Sequence, residues 1–281
     1  MNKDTNFSEF SIKVRKKIVT FSRPVVMGIL NVTPDSFYDG GRHNSPQAML
    51  AHAHSLLDDG ADIIDVGVAS SRPGAIFPTP DEEAQRLSAN VSLLRTELPD
   101  AIISVDTCRA NAARAAIEAG ADIVNDIGGG TLDSRMFETI ADLQVPYILM
   151  HTKGTPDVMA QQNHYDDIIG DLVRYFSERI DQLARLGVSD VWLDPGFGFA
   201  KDVAQNHELL RRLDELTTLF SQPVVTALSR KSMIYKPLGI TPDDALEGTV
   251  ALDTVALLKG TRVLRVHDPK PALQTIKLLE C

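Results

Sequence analysis

The order of patterns along the 281 residues predicts an α/β chain folded as a (β/α)8 barrel, with an N-terminal β-hairpin capping its bottom. Three observations carry the prediction. Eight short apolar runs alternate with segments of helical period, which implies a parallel sheet. Nearly every run ends in a polar residue that a buried strand would not choose for packing. No GxGxxG follows the first run, so the usual mark of a dinucleotide fold is missing, and a doubly wound open sheet remains the alternative.

The hairpin is read at 10–21, where Ile12, Val14, Ile18, Val19 and Phe21 alternate loosely around the basic turn Arg15-Lys16-Lys17. Strands follow at 25–30, 61–68, 102–106, 123–127, 147–151, 191–196, 223–228 and 263–267. Between them, 46–58 places Met49, Leu50, Ala53, Leu56 and Leu57 on one helical face, with Gly60 just past its end. Helices are also expected at 81–96 and 110–119, from Asp133 onward, and along Ile169, Leu172, Phe176, Ile180 and Leu183. No segment reads as a linker, so residues 1–281 form one domain.

Composition narrows the function classes. Apolar residues at 43% and charged residues at 23% are ordinary for a globular chain. A formal net charge of -10, with no Lys/Arg run beyond the Arg15-Lys16-Lys17 turn, argues against a nucleic-acid partner. No stretch approaches the roughly 18 apolar residues of a membrane span, and the N-terminus lacks a signal-peptide core, so no membrane is expected and the cytoplasm is the default location. Cys108 and Cys281 are the only cysteines, too far apart in sequence to suggest a disulfide framework or a zinc site.

The polar tips are Asn31, Asp65, Asp106, Asn125 with Asp126, His151, Asp194, Ser229 to Lys231, and Arg265 with His267. In a barrel they converge on the face where such folds hold active sites. Asp106, Asn125 and Asp194 can hydrogen-bond a flat heterocycle with an amide edge and an exocyclic amine. Lys231, Arg72, Arg265 and His267 suit an anion. Asn31, with Asp35 nearby, offers hard oxygen ligands for Mg2+. The ligand implied is a planar polar ring joined to a phosphate-bearing leaving group.

Several strings add a resemblance: MGILNVTPDSFYDGG from Met27, DVGVASSRPGA from Asp65, Asp106-Thr107, Asn125-Asp126-Ile127, Met150-His151 with Gly154-Thr155-Pro156, DPGFGF from Asp194, SRKS from Ser229, and Arg265 to Asp268. Together, over about residues 11–275, they resemble the dihydropteroate synthases. The resemblance implies a TIM barrel, a homodimer and Mg2+. It also implies the reaction: 6-hydroxymethyl-7,8-dihydropterin diphosphate joins 4-aminobenzoate, giving 7,8-dihydropteroate and diphosphate. Carried over by position, Asp106, Asn125, Asp194 and Lys231 would hold the pterin, and Arg72, Arg265 and His267 the diphosphate. Ser71, Pro73, Phe199 and Ser232 would shape the aminobenzoate site, and Asn31 would bind the metal. Lys231, Arg72, Asp106 and Asp35 are the expected catalytic residues. The loops 33–42 and 70–78, bracketed by Gly and Pro, are candidate lids.

Several positions read otherwise. His151 reads equally as a packed, hydrogen-bonded histidine or a site group. Cys108 is expected to pack as a small hydrophobe, Trp192 to pack against a barrel helix, and Asp65 to orient Arg72. The chain departs from the family's Gly-Gly-Glu-Ser-Thr-Arg-Pro-Gly at Val68, Ala69 and Ser71. Ala200 and Ala227 replace family glycines, and Thr152-Lys153 stand where Met-Gln is frequent. Aminobenzoate affinity, sulfonamide response and rate are where these changes are expected to tell. A pterin-binding methyltransferase domain and a catalytically idle, pterin-binding paralogue are the competing functions.

Overall fold

The computed structural model describes residues 7, 9–15, 17–32, 46–68, 78–154 and 163–281. Strands β1 (Phe10–Val14) and β2 (Lys17–Phe21) pair antiparallel as the expected hairpin, with Phe10 opposite Phe21 and Val14 opposite Lys17. Arg15 turns the chain at φ 57°.

Eight parallel strands form the barrel: β3 (Val25–Asn31), β4 (Ile63–Gly67), β5 (Ile102–Asp106), β6 (Ile123–Asp126), β7 (Tyr147–Met150), β8 (Val191–Asp194), β9 (Val225–Thr226) and β10 (Val263–Val266). Their order is β8-β7-β6-β5-β4-β3-β10-β9. A parallel bridge between Leu193 and Val224, with Leu193 N–H donating to Pro223 at 2.9 Å, closes the ring. The fold class is as predicted. The seventh strand alone is much shorter than its apolar run, because β9 pairs regularly only with β10.

Helices α1 (Pro46–Asp58), α2 (Pro80–Glu97), α3 (Ala110–Glu118), α4 (Met136–Leu143), α5 (Ile168–Arg185), α6 (Val203–Arg211), α7 (Leu213–Leu219), α8 (Ser232–Leu238), α9 (Leu246–Leu258) and α10 (Pro269–Leu279) run between and after the strands. Local chemistry starts several of them. Thr79 and Glu82 form a capping box ahead of α2, Asp202 and Gln205 another ahead of α6, and Asp167 caps α5. Among the described residues, no helix is long and apolar enough to cross a membrane.

A strand's period of two sorts every barrel side chain inward or outward. Outward residues such as Leu30, Ile64, Val66, Ile103, Val105, Val124 and Leu149 join the helices in one large core. Inward residues at the strand starts, Val25, Met27, Ile63, Ile123, Ile148, Trp192, Val225 and Val263, make a second cluster with Ile12 and Val14 of the hairpin. Each such buried aliphatic chain contributes roughly 1.5–3 kcal/mol. Trp192 therefore corrects the expectation: it faces the barrel interior, fully buried, with its ring edge-on to Phe10 at 5.7 Å, and not a helix. The plug is apolar at the bottom, which leaves polar inward positions only toward the strand ends.

Candidate active site

Following the inward positions upward gives the site. Above the apolar plug come Asp65, Ser104, Asn125, Asp194 and Arg265, and at the next step Asn31, Gly67 and Asp106 lie side by side in register. A Cβ built on Gly67 would lie 3.3 Å from Asn31 Oδ1, tighter than ordinary contact, and 3.9 Å from Asp106 Oδ2, so the glycine leaves room for the Asn31 amide between its neighbours. Asp126, one residue on from Asn125, points outward instead. Its carboxylate takes the Gly128 and Gly130 N–H groups at 2.7 Å and the Tyr147 hydroxyl at 2.6 Å, so it orders the loop after β6.

Arg265 ties the layer together. Its Nε donates to Asp65 Oδ2 at 2.7 Å and its Nη2 to Asp106 Oδ2 at 2.7 Å, while Asn125 Nδ2 donates to the same Asp65 oxygen at 3.0 Å. Asp65 is wholly buried. Thus Asp65 orients Arg265 and Asn125; Arg72, the partner expected for it, lies outside the described residues. Burial pushes the Asp106 carboxyl up, and the Arg265 guanidinium opposes that rise. Burial likewise raises Asp194, opposed first by Lys231.

Lys231 arrives from the turn before α8, whose local fold places Arg230 at φ 57°. Its ammonium donates to the Phe197 carbonyl and lies 5.0 Å from the centre of the Phe199 ring. Burial pulls it down to about 8, against the pull of Asp194. Ser232 follows as the first residue of α8. Arg230 turns away into a two-bond pair with Asp268 at 3.0 and 3.1 Å.

His267 sits exposed at the rim. Ser229 Oγ accepts its backbone N–H at 3.3 Å and lies 2.9 Å from its Nδ1. When the hydroxyl donates to Nδ1, the ring's own proton sits on Nε2 as an outward donor. Packing around the ring and then Arg265 hold the imidazole below its ordinary value.

The described predicted residues Asn31, Asp106, Asn125, Asp194, Phe199, Lys231, Ser232, Arg265 and His267 therefore share the C-terminal face. Asp35, Ser71, Arg72 and Pro73, with most of both candidate lids, lie outside the described residues. Among the described residues, no three His, Cys, Asp or Glu side chains cluster as a protein-built metal cage requires. Asn31 Oδ1 is a hard oxygen of the kind Mg2+ takes alongside water and substrate phosphate, whereas Asp106 Oδ2 is already held by Arg265.

Two of the departures from the family pattern are buried. Val68 is buried in the outer core and so adds packing, whereas Ala227, nearly fully buried, follows Thr226 at the end of β9. Burial pushes the Cys108 thiol up to about 12. Lys201 escaped the sequence reading altogether. It lies just past DPGFGF, but a lysine there carries no sign of burial, since lysines are almost always exposed. His151 is buried and neutral, its pKa held well below its ordinary value by burial and then by Lys201.

A family model described as pterin binding enzyme matches residues 27–267. Dihydropteroate synthase of Escherichia coli strain K12 is 40% identical over 261 residues, 92% of each chain. The chain belongs to the dihydropteroate synthase family. Membership makes it a transferase, in a family of folate biosynthesis. Solved members of the family agree in fold. Yersinia pestis dihydropteroate synthase in a sulfonamide drug complex matches with a TM-score of 0.89 at 38% identity, over 96% of this chain and 98% of that one. Xanthomonas albilineans dihydropteroate synthase with 4-aminobenzoic acid gives 0.88 at 36% identity, over 96% and 97%.

Proposed function

We propose that this chain joins 6-hydroxymethyl-7,8-dihydropterin diphosphate to 4-aminobenzoate, releasing diphosphate. One observation carries the reading: acids and an amide suited to a pterin (Asp106, Asn125, Asp194) share an interior layer with Arg265, Lys231 lies against Phe197 and Phe199 beside them, and His267 stands at the rim. The family's pterin-binding description and the 4-aminobenzoic acid complex of the Xanthomonas relative support the two substrate halves.

In this reading Asp106, Asn125, Asp194 and Lys231 hold the ring deep in the barrel. Breaking the carbon–oxygen bond leaves positive charge on the methylene, shared with the dihydropterin, and sends the electron pair to the diphosphate. The interior carboxylates face that cation. Arg265, the Nε2–H of His267 and Arg72 meet the departing anion as charge fixed in advance. The aminobenzoate amine, neutral at pH 7, then attacks from the side of Phe199 and Ser232, with Ser71 and Pro73. It needs no strong base. Mg2+, when bound, supplies further positive charge at the phosphate oxygens, and Asn31 with Asp35 would hold it.

Incubating the protein with both substrates and Mg2+ and measuring diphosphate release tests the reading. Release coupled to dihydropteroate formation supports it. Tight pterin binding without release would instead indicate the idle paralogue.

A homodimer belongs to the same proposal. Helix α9, LEGTVALDTVALL, is apolar on both faces and leaves Leu258 63% exposed, where such a helix is ordinarily covered. Sedimentation at micromolar concentration checks it, and a purely monomeric species would count against it.

A further inference from the structure

Lys201 lies where the loop after β8 enters α6, with only 8% of its surface exposed. Its Nζ donates to Nδ1 of His151 at 3.0 Å, to the Gly196 carbonyl at 3.0 Å and to the Phe199 carbonyl at 3.1 Å. Burial draws the Lys201 amine down to about 7, against the pull of Asp194; in its ammonium form these acceptors use all three protons, with His151 as the Nε2–H tautomer. A buried cation is costly, and a methionine would fill the same volume without that cost. Its presence needs a reason other than packing.

The loop around it supplies one. Gly196, at φ 71°, lies so close to the end of β7 that an added Cβ would fall 2.0 Å from the His151 carbonyl. Gly198 N–H donates to Asn206 Oδ1 at 2.7 Å, and Asn206 Nδ2 returns to the Lys201 carbonyl at 3.1 Å. The chain is thus wound about the ammonium. The same loop begins with Asp194, offers the Phe197 carbonyl to Lys231, and places the Phe199 ring beside it. The ammonium is also one of the charges that oppose the burial-driven rise of the Asp194 carboxyl, after Lys231 and Arg265.

We propose that Lys201 is a positioning residue: through the Gly196 and Phe199 carbonyls and His151 it sets the conformation of the loop 195–200, and with it the placing of Asp194, Lys231 and Phe199 against the two substrates. The catalytic part rests on the condensation proposed above. Lys201 itself touches neither substrate.

The test compares wild type with Lys201→Met, which keeps the stem and loses the charge, and Lys201→Arg, which keeps the charge. In Lys201→Met, backbone amide exchange across 195–200 should quicken about tenfold or more while the rest of the barrel keeps its protection. kcat/KM should fall on the order of 100-fold, with Lys201→Arg recovering part of it. Unchanged exchange across 195–200 overturns the proposal whatever the activity. Faster exchange with unchanged kcat/KM overturns it too, because the loop would then not govern the site. A wild type that releases no diphosphate sinks the condensation reading instead, and the exchange result still decides the loop. Should Lys201→Met not fold, His151→Leu removes one acceptor with the ammonium in place, and the same two readouts decide.

Discussion

Asp65 and Arg265, 200 positions apart in the chain, meet inside the barrel through a 2.7 Å bond from Nε to Oδ2. The contact is buried on the acid's side and only 16% exposed on the arginine's, so neither charge is free to be hydrated. The two carboxylates around Arg265 hold its guanidinium charged despite its burial. A pair of this kind adds modest net stability but is damaging to break, since the survivor is left buried without its partner.

Asp65→Ala should therefore lower the free energy of unfolding by about 3 kcal/mol, and Asp65→Asn by less, because the amide can still accept from Arg265. Urea unfolding at neutral pH checks this. An Asp65→Ala midpoint equal to wild type would remove the pair from the account of the site.

Lys231 supplies a pH signature. Its ammonium is held down to about 8, so the free enzyme loses that charge as pH rises through that value. kcat/KM for the pterin diphosphate should fall on the alkaline side accordingly. Lys231→Arg keeps the cation and should move that limb out of range, at a lower plateau. The same alkaline limb in both proteins would assign it to another group.

Asn31 is tested through the metal. A chelator should suppress turnover. Asn31→Ala should raise the Mg2+ concentration for half-maximal rate by roughly tenfold, with binding of the free hydroxymethylpterin unchanged. An unaltered Mg2+ dependence would take Asn31 out of the metal site.

Ala200 occupies the left-handed region at φ 48°, where a Cβ costs roughly 1 kcal/mol. Ala200→Gly relieves that strain but gives the unfolded chain more freedom. A net gain of about 0.5 kcal/mol is expected in urea unfolding; a loss would mean that the buried methyl packs better than its backbone suffers.

Asp253, buried in α9, has an Oδ1 without a hydrogen-bond partner among the described residues, and burial raises its carboxyl to about 8. Between its ordinary value and about 8 the folded chain holds a proton that the unfolded chain releases. Stability from this group should then decline as pH rises through that window, by on the order of a few kcal/mol. Asp253→Asn cannot ionise and should flatten the decline. Parallel slopes for both proteins would contradict the assignment.

The sequence by itself determined the eight-fold alternation, the hairpin, and which residues stand at strand tips, because periods of two and of about 3.6 are local properties of the chain. It also picked out Asp106, Asn125, Asp194, Lys231, Arg265 and His267, whose polarity at the end of an apolar run has no local use. Tertiary structure alone decided what those groups do to one another. Asp65 serves Arg265 and Asn125, Trp192 fills the barrel, Asp126 turns outward, and Lys201 is buried at all. Each of these follows from which positions the barrel's closure brings to one level. Closure joins residues up to 200 positions apart, and no local pattern in the chain records that distance.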